Sequence, residues 1–252
     1  MAFIKLVQIT SWSHSRLSDY DKCPQLAKFK HVEKRKEPAN APMLNGTFVH
    51  ALAQAYVSGE TPEGREMMNF QPAQQKAIIA ATKKLPSELK KFSKQLADLK
   101  KRTPQVEQMW VFTKQWARTT WNDWNGAWLR IKMDSHYVRK EPVGKVLYII
   151  DYKTGKDKSQ SEDNDEQLRL YVLGGLLMYP DVIKIVTSLW YTDYGTHRTK
   201  EFTVEKDSLA KEKAYWLKRT KKMLNDKIFA PLPGPHCGYC YFRKANGGPC
   251  QF

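Results

Sequence analysis

The sequence predicts an α/β fold, a mixed β-sheet flanked by helices. Three observations predict it. Residues 65–120 are rich in Lys, Gln, Ala, Leu and Glu, whereas from residue 127 the hydrophobic period shortens to alternation. Two strand-like runs, "AWLRIKMD" (127–134) and "GKVLYIIDYKT" (144–154), flank the Pro- and Gly-bearing turn "RKEPVGK". A helical run, "DEQLRLYVLGGLLMY" (165–179), then precedes two further strand runs, and that order buries a sheet beneath helices. The 252 residues are enough for one large domain with a core.

The elements follow from local chemistry. "SWSHSRLSDYDKC" (11–23) offers serine N-caps before a short helix, and Pro24 suits the first turn of a second, "PQLAKFKHVEKR". "LNGTFVHALAQAYVSG" (44–59) predicts a helix capped by Asn45 and stopped by Gly59. Residues 65–120 predict two or three helices broken near Pro86 and Pro104, a helical region spanning about 60–125. The core boundaries fall at 126–206: the hairpin, the helix 165–179 with two glycines suited to close packing, and strands "VIKIVTSLWYTD" (182–193) and "TKEFTVEK" (199–206). A basic amphipathic helix (207–227) leads into "APLPGPHCGYCYFRKANGGPC", a tail rich in Pro, Gly and Cys. All of this is expected to form a single domain, 1–252.

Forty-two Lys and Arg against 26 Asp and Glu give a net charge of +16. Such an excess favours a polyanionic partner, because each neutralised phosphate releases counterions. No Walker-type glycine loop occurs, so ATP hydrolysis is not expected of this chain. The longest apolar run, "YVLGGLLMY", is too short to span a bilayer. The start, "MAFIKLVQITSWSHS", lacks a long apolar run followed by a small-residue cleavage site. The expectation is an unsecreted, cytoplasmic protein with no membrane partner.

The stretch "IIDYKTG" (149–155) holds the chemistry. Side chains two apart on a strand share a face, so Asp151 and Lys153 point the same way. A turn centred on Pro142-Val143 sets Asp134 directly opposite Asp151. Two carboxylates that close repel each other unless a cation neutralises them, and Mg²⁺ or Mn²⁺ favours carboxylate oxygens. Lys153 would add a positive charge for a transition state or activate a water. Gln167 and Tyr171, four apart, share a face of the next helix. His50 lies in an otherwise apolar helix, where a lone histidine is more often a packed core residue than a ligand.

Cys23, Cys237, Cys240 and Cys250 are all the cysteines of the chain. An unsecreted protein rarely uses disulfides, so metal ligation is favoured. Four thiolates suit a structural zinc and equally a 4Fe–4S cluster.

In order, "SHSRLSDYDKCP", "NGTFVHALAQAY", "MDSHYV…LYIIDYKTG" and "DEQLRLYVLGG" resemble the motifs of RecB-type nucleases of the PD-(D/E)xK superfamily. The resemblance implies a restriction-endonuclease-like core with a helical insertion and a Cys-cluster tail. It implies that His50, Asp134 and Asp151 bind Mg²⁺ or Mn²⁺, that Lys153 is the catalytic lysine, and that Gln167 and Tyr171 support the site and contact DNA. One N-terminal cysteine joined to three C-terminal ones resembles the iron–sulfur branch of the family. That branch includes the helicase–nuclease AddB and CRISPR-associated adaptation nucleases. The gap from Cys240 to Cys250 is longer than relatives usually show. The implied activity is a metal-dependent DNA exonuclease working on single strands or free ends, in recombination, repair or mobile-element DNA processing. A helicase or recombination partner would accompany it, in a host cytoplasm if the chain is viral. The alternatives are a CRISPR-adaptation trimming nuclease and a non-catalytic DNA-binding module of the same fold.

"WARTTWNDWNGAW" (116–128) holds Trp116, Trp121, Trp124 and Trp128, which either pack helices on the sheet or stack bases. The basic segments "KKLPSELKKFSKQLADLKKR" (83–102) and "KRTKKMLNDK" (218–227) are solvated faces or a DNA path.

Overall fold

The computed structural model describes residues 8–155 and 162–252; residues 1–7, which bear on the leader reading, lie outside them. Helices α1 (His14–Lys22) and α2 (Pro24–Ala27), the latter extended by a π-helical turn Lys28–Val32, precede α3 (Ala41–Ser58). Next come α4 (Gly64–Met68), α5 (Pro72–Ala81), a 3-10 turn Ser87–Phe92 and α6 (Ser93–Lys101). Strands β1 (Gln105–Phe112), β2 (Arg118–Thr119), β3 (Leu129–Glu141) and β4 (Gly144–Lys153) lead to α7 (Glu162–Met178). Strands β5 (Val182–Tyr191) and β6 (Thr196–Thr203), then α8 (Ser208–Asn225), precede the tail. The sheet has the order β2-β1-β3-β4-β5-β6 and is mixed: β4 and β5 run parallel, and their neighbours β3 and β6 antiparallel. The expected α/β fold is the one observed.

Two local expectations change. The N-cap of α3 is Asn40, whose Oδ1 accepts from Met43 N at 3.0 Å, rather than Asn45. Pro42 has the fixed φ that suits a first turn, so the helix starts ahead of it. Residues 105–112 form a strand rather than a helix, because "QVEQMWVF" carries β-branched and aromatic residues that prefer a pleated surface.

The chain divides into two compact units, and its path crosses between them within β1 and β3. One comprises Ala39–Met109 and Lys132–Leu209. Here α3, α5 and α6 bury Leu52, Ile78, Leu89, Phe92, Leu96 and Leu99 together with Ile150 and Tyr152 of β4. Leu89, Phe92, Leu96 and Leu99 recur at helical spacing, so the lysines of the densest basic segment face outward while the segment anchors itself. Phe92 stacks on Trp190 with centroids 5.2 Å apart.

α7 is the crossover between parallel β4 and β5, and Gly175 brings it close to them. A Cβ there would stand 2.7 Å from Leu147 Cδ2 and 2.9 Å from Ile185 Cδ1. Gly175→Ala is therefore expected to cost about 1–3 kcal/mol of stability despite alanine's better helix propensity, measured by urea unfolding. An unchanged midpoint would show that the two side chains yield freely.

His136 of β3 is buried, with Nε2 2.8 Å from the Tyr179 hydroxyl. Burial pushes its imidazole down to about 4. The folded chain keeps this histidine neutral while the unfolded chain protonates it below about 6.5. Its contribution is complete above that pH and is lost as pH falls from 6.5 towards 4, by ~3 kcal/mol. Denaturant melts of wild type and His136→Phe across that window should converge; parallel curves would exclude this group as the cause.

The other unit comprises Met1–Pro38, Trp110–Ile131 and Ala210–Phe252. Trp12 is fully buried, stacked on Trp216 at 5.4 Å and edge-on to Trp128 at 5.6 Å. Trp116 also meets Trp128 edge-on, while Trp121 and Trp124 are 38% and 81% exposed. The tryptophan segment is thus split between packing and surface. Phe29 against Phe242, and the Tyr20 hydroxyl on Asp226, tie the first helices to the tail.

Candidate active site

The β3–β4 hairpin sets the first two acids. Its ladder runs from Glu141↔Gly144 to Ser135↔Ile150, the register that a Pro142-Val143 turn dictates. Asp134 and Asp151 are the next residues of each strand, and both are buried. The Asp134 side chain enters the ladder's place: its Oδ2 accepts from the backbone N–H of Tyr152 at 2.5 Å.

α3 delivers His50, whose Nδ1 lies 3.0 Å from Asp134 Oδ1. The histidine stays partly exposed and lines a cleft of about 480 Å³ with Gln54, Glu66, Glu107 and Lys132. Gly46, one turn earlier, lets the helix approach, since a Cβ there would stand 3.1 Å from Thr154 Oγ1.

β1 delivers Glu107, which sequence reasoning missed. Donor atoms of His50, Glu107 and Asp134 all lie within 4.8 Å of one another. Glu107 has φ of 50°, a left-handed conformation unfavourable for a non-glycine residue in a strand, and such strain concentrates at functional sites. Lys132 Nζ holds its carboxylate at 2.6 Å. The signal available was a lone acid within a β-branched and aromatic run, hidden by the helical reading of that segment.

Asp151 is placed differently. Its Oδ1 accepts from the Tyr171 hydroxyl and from Gln167 Nε2 at 3.1 Å. Its Oδ2 lies 2.8 Å from Lys153 Nζ, at an angle that leaves this buried oxygen without a hydrogen bond. Lys153 Nζ donates to Gln167 Oε1 at 2.7 Å, and Gln167 Nε2 donates to the Tyr171 hydroxyl at 2.7 Å. The structure thus brings Asp151, Lys153, Gln167 and Tyr171 into one network, and His50 and Asp134 into the three-donor group with Glu107.

The electrostatics follow from burial opposed by charge. Burial alone would lower the His50 pKa, but the Asp134 carboxylate outweighs it and holds the imidazole up at about 9. Burial and the neighbouring Asp134 raise the Glu107 carboxyl, against the pull of Lys132. Burial would raise Asp151 as well, yet Lys153 and then Tyr171 hold it below the usual carboxylate range. Burial likewise opposes the charge on Lys153, and Asp151 overcomes it, so the ammonium is retained. Burial and Asp151 push the Tyr171 hydroxyl well up, keeping its proton available for donation.

The four cysteines lie in the other unit as free thiols around one cavity of about 290 Å³. Cys23 Sγ accepts from Leu232 N and Cys237 Sγ from Gly234 N, each at 3.4 Å. Burial, then Cys250, Cys237 and Cys23, push the Cys240 thiol up.

Comparison with known protein families matches residues 11–245 to the PD-(D/E)XK nuclease superfamily. No curated protein matches the sequence. No helix among the described residues is long and apolar enough to cross a membrane. With a mixed sheet flanked by helices and a family match over most of its length, the chain belongs to the PD-(D/E)XK nuclease superfamily.

Proposed function

We propose that the chain is a metal-dependent deoxyribonuclease that removes nucleotides from DNA ends or single strands, with a 4Fe–4S cluster bracing its tail. The observation that carries the reading is the meeting of His50, Glu107 and Asp134 in an open cleft. The donor set fits a divalent ion: burial and then the Asp134 carboxylate push the Glu107 carboxyl up, the second being a repulsion between two acids that Mg²⁺ or Mn²⁺ relieves, and His50 adds a ring nitrogen beside them. Asp151 Oδ2, which faces Lys153 Nζ at 2.8 Å, offers a further oxygen ligand.

When bound, the ion supplies Lewis acidity to a phosphate oxygen and lowers the pKa of a water. The protein does the rest. Asp134, fixed by the Tyr152 N–H, orients His50. Gln167 and Tyr171 fix the Asp151 carboxylate and hold Lys153 in a single rotamer through Gln167 Oε1. Lys153 then presents a retained positive charge to the developing negative charge on phosphate, or orients the attacking water.

The cysteines fit a cluster on the same grounds. Four thiols share a cavity, and two of the sulfurs already accept backbone N–H groups, the bonds that tune iron–sulfur centres. A helicase or recombination partner and a cytoplasmic location belong to the same proposal; a CRISPR-adaptation trimming role is its alternative.

The test is digestion of end-labelled linear, circular and single-stranded DNA with Mg²⁺ or Mn²⁺. Linear and single-stranded DNA should be consumed and closed circles spared; no cleavage of any of them would leave a non-catalytic DNA-binding module. His50→Ala should lower activity by more than about tenfold, with partial rescue at high Mn²⁺, because a lost nitrogen ligand costs at least ~1.4 kcal/mol. A folded His50→Ala protein with unchanged rate and Mn²⁺ dependence would return His50 to the core.

A further inference from the structure

Lys132 steadies Glu107, and its setting fits it for a second task. β3 carries it two residues before Asp134, so both side chains leave the same face of the strand. It is the one exposed residue of the eight from Leu129 to His136, and it opens into the cleft of about 480 Å³ that His50, Glu66 and Glu107 also line. Each carboxylate of the three-donor group has its own basic partner there. Asp134 meets His50 at 3.0 Å, and Glu107 meets Lys132 Nζ at 2.6 Å.

A divalent ion held by His50, Glu107 and Asp134 needs the same Glu107 charge that Lys132 shares, so the ion and the ammonium compete for one carboxylate. The ammonium is the weaker competitor. The Glu107 side chain is 17% exposed and that of Lys132 52%, so the lysine stays half in water and loses little by leaving. Its four-carbon stem is flexible, and the head can turn within the cleft. Lys153 has no such freedom, because Asp151 and Gln167 hold its ammonium from two sides. Burial opposes the charge on Lys132, but Glu107, then Glu66 and Asp134, outweigh it and hold the group above its ordinary value. A phosphate drawn to an ion on Glu107 arrives beside the ammonium just displaced from that carboxylate, and a mobile ammonium is a point-charge phosphate binder.

We propose that Lys132 is a second substrate lysine: it competes with the divalent ion for Glu107 and, once displaced, binds a phosphate of the strand in the cleft. The identity of ion and strand rests on the deoxyribonuclease reading. Lys132 thereby links the two binding events, since the ion that takes Glu107 also releases the group that holds the strand. The rival destination for the displaced ammonium is Glu66, the exposed acid on the same cleft.

The test has two arms, both on the full chain, with thermal melting as a check of folding. The first is a Mn²⁺ titration without DNA. Lys132→Met should bind Mn²⁺ about fivefold tighter, the worth of one half-exposed ion pair that no longer has to break, and Lys132→Arg should stay within about twofold of wild type. The second arm is a double-mutant cycle read by binding of a fluorescent single-stranded oligonucleotide in EDTA, over a salt series. Glu107→Gln releases the lysine without any metal, so it should tighten binding about fivefold and steepen the salt slope by ~0.7, the value for one added phosphate contact on a single strand. In a Lys132→Met background Glu107→Gln should leave the slope unchanged, and Lys132→Gln repeats the cycle if the methionine variant melts early. A gain from Glu107→Gln that is equal in both backgrounds would reflect lost repulsion alone, or a lysine turned to Glu66, and would overturn the proposal. Mn²⁺ binding by Lys132→Met no tighter than wild type would overturn it too. Cleavage of linear DNA by the wild type in Mn²⁺ is scored separately. Coupled binding without cleavage would overturn the deoxyribonuclease reading and keep the role of Lys132. Cleavage with uncoupled binding would do the reverse.

Discussion

Replacing Lys153 by methionine is expected to slow DNA cleavage about a thousandfold, ~4 kcal/mol in the transition state, while DNA binding stays within about threefold. Methionine keeps much of the volume and removes the charge. In the wild type that ammonium is held between Asp151 Oδ2 and Gln167 Oε1, at 2.8 and 2.7 Å, so it needs no reorganisation when negative charge develops on phosphate. Its removal has a second consequence. Asp151 is buried, and Lys153 is the main influence holding its carboxyl below the usual range. Without the lysine the carboxyl should rise, and the variant should become less stable, because one member of a buried pair is left alone. Single-turnover cleavage of labelled linear DNA in Mn²⁺, with binding measured in EDTA, separates the two effects. Wild-type cleavage by the variant would exclude Lys153 from the chemistry.

Cys23→Ser should abolish the iron content of anaerobically purified protein, lose its brown colour and lower its Tm by on the order of 10 °C. Cys23 ends α1 and begins α2, its backbone N–H bound to Asp19 O at 3.1 Å and its sulfur to Leu232 N. It is therefore the point at which the first two helices meet the tail that carries Cys237, Cys240 and Cys250. Serine fits the same space but is a poor ligand for iron. A wild-type protein holding zinc and no iron would assign the site to zinc; a Cys23→Ser protein that keeps its iron and Tm would release Cys23 from the cluster. Cys250→Ser addresses the long gap after Cys240. The Cys250 thiol donates to Gln25 Oε1 at 3.1 Å in the same cavity, so its loss should resemble that of Cys23.

Much of this architecture was legible because it rests on local chemistry. The Pro142-Val143 turn allows one register for the β3–β4 hairpin, and the observed pairs keep it. Ser13, Pro24 and Gly59 mark helix ends by capping, fixed φ and a left-handed conformation, each a property of the residue and its neighbours. Where two local signals competed, the reading was less secure. Asn40 and Asn45 are both plausible caps, and Pro42 decides between them. Composition suggested helix as far as residue 120, yet residues 105–112 pair as a strand, because strand pairing depends on partners remote in sequence.

The sequence by itself determined the hairpin, the helix boundaries near Ser13, Pro24 and Gly59, the shared face of Asp151 and Lys153, and the single set of four cysteines. Each depends on residues within a turn or two, or on counting. Only the tertiary structure decided that Glu107 joins His50 and Asp134, and that Asp151 is held by Lys153, Gln167 and Tyr171. These groups join segments far apart in the chain. Spacing in sequence cannot specify such meetings, because they are fixed by which apolar faces pack and which strands pair, and the charged side chains are carried to their neighbours by that packing.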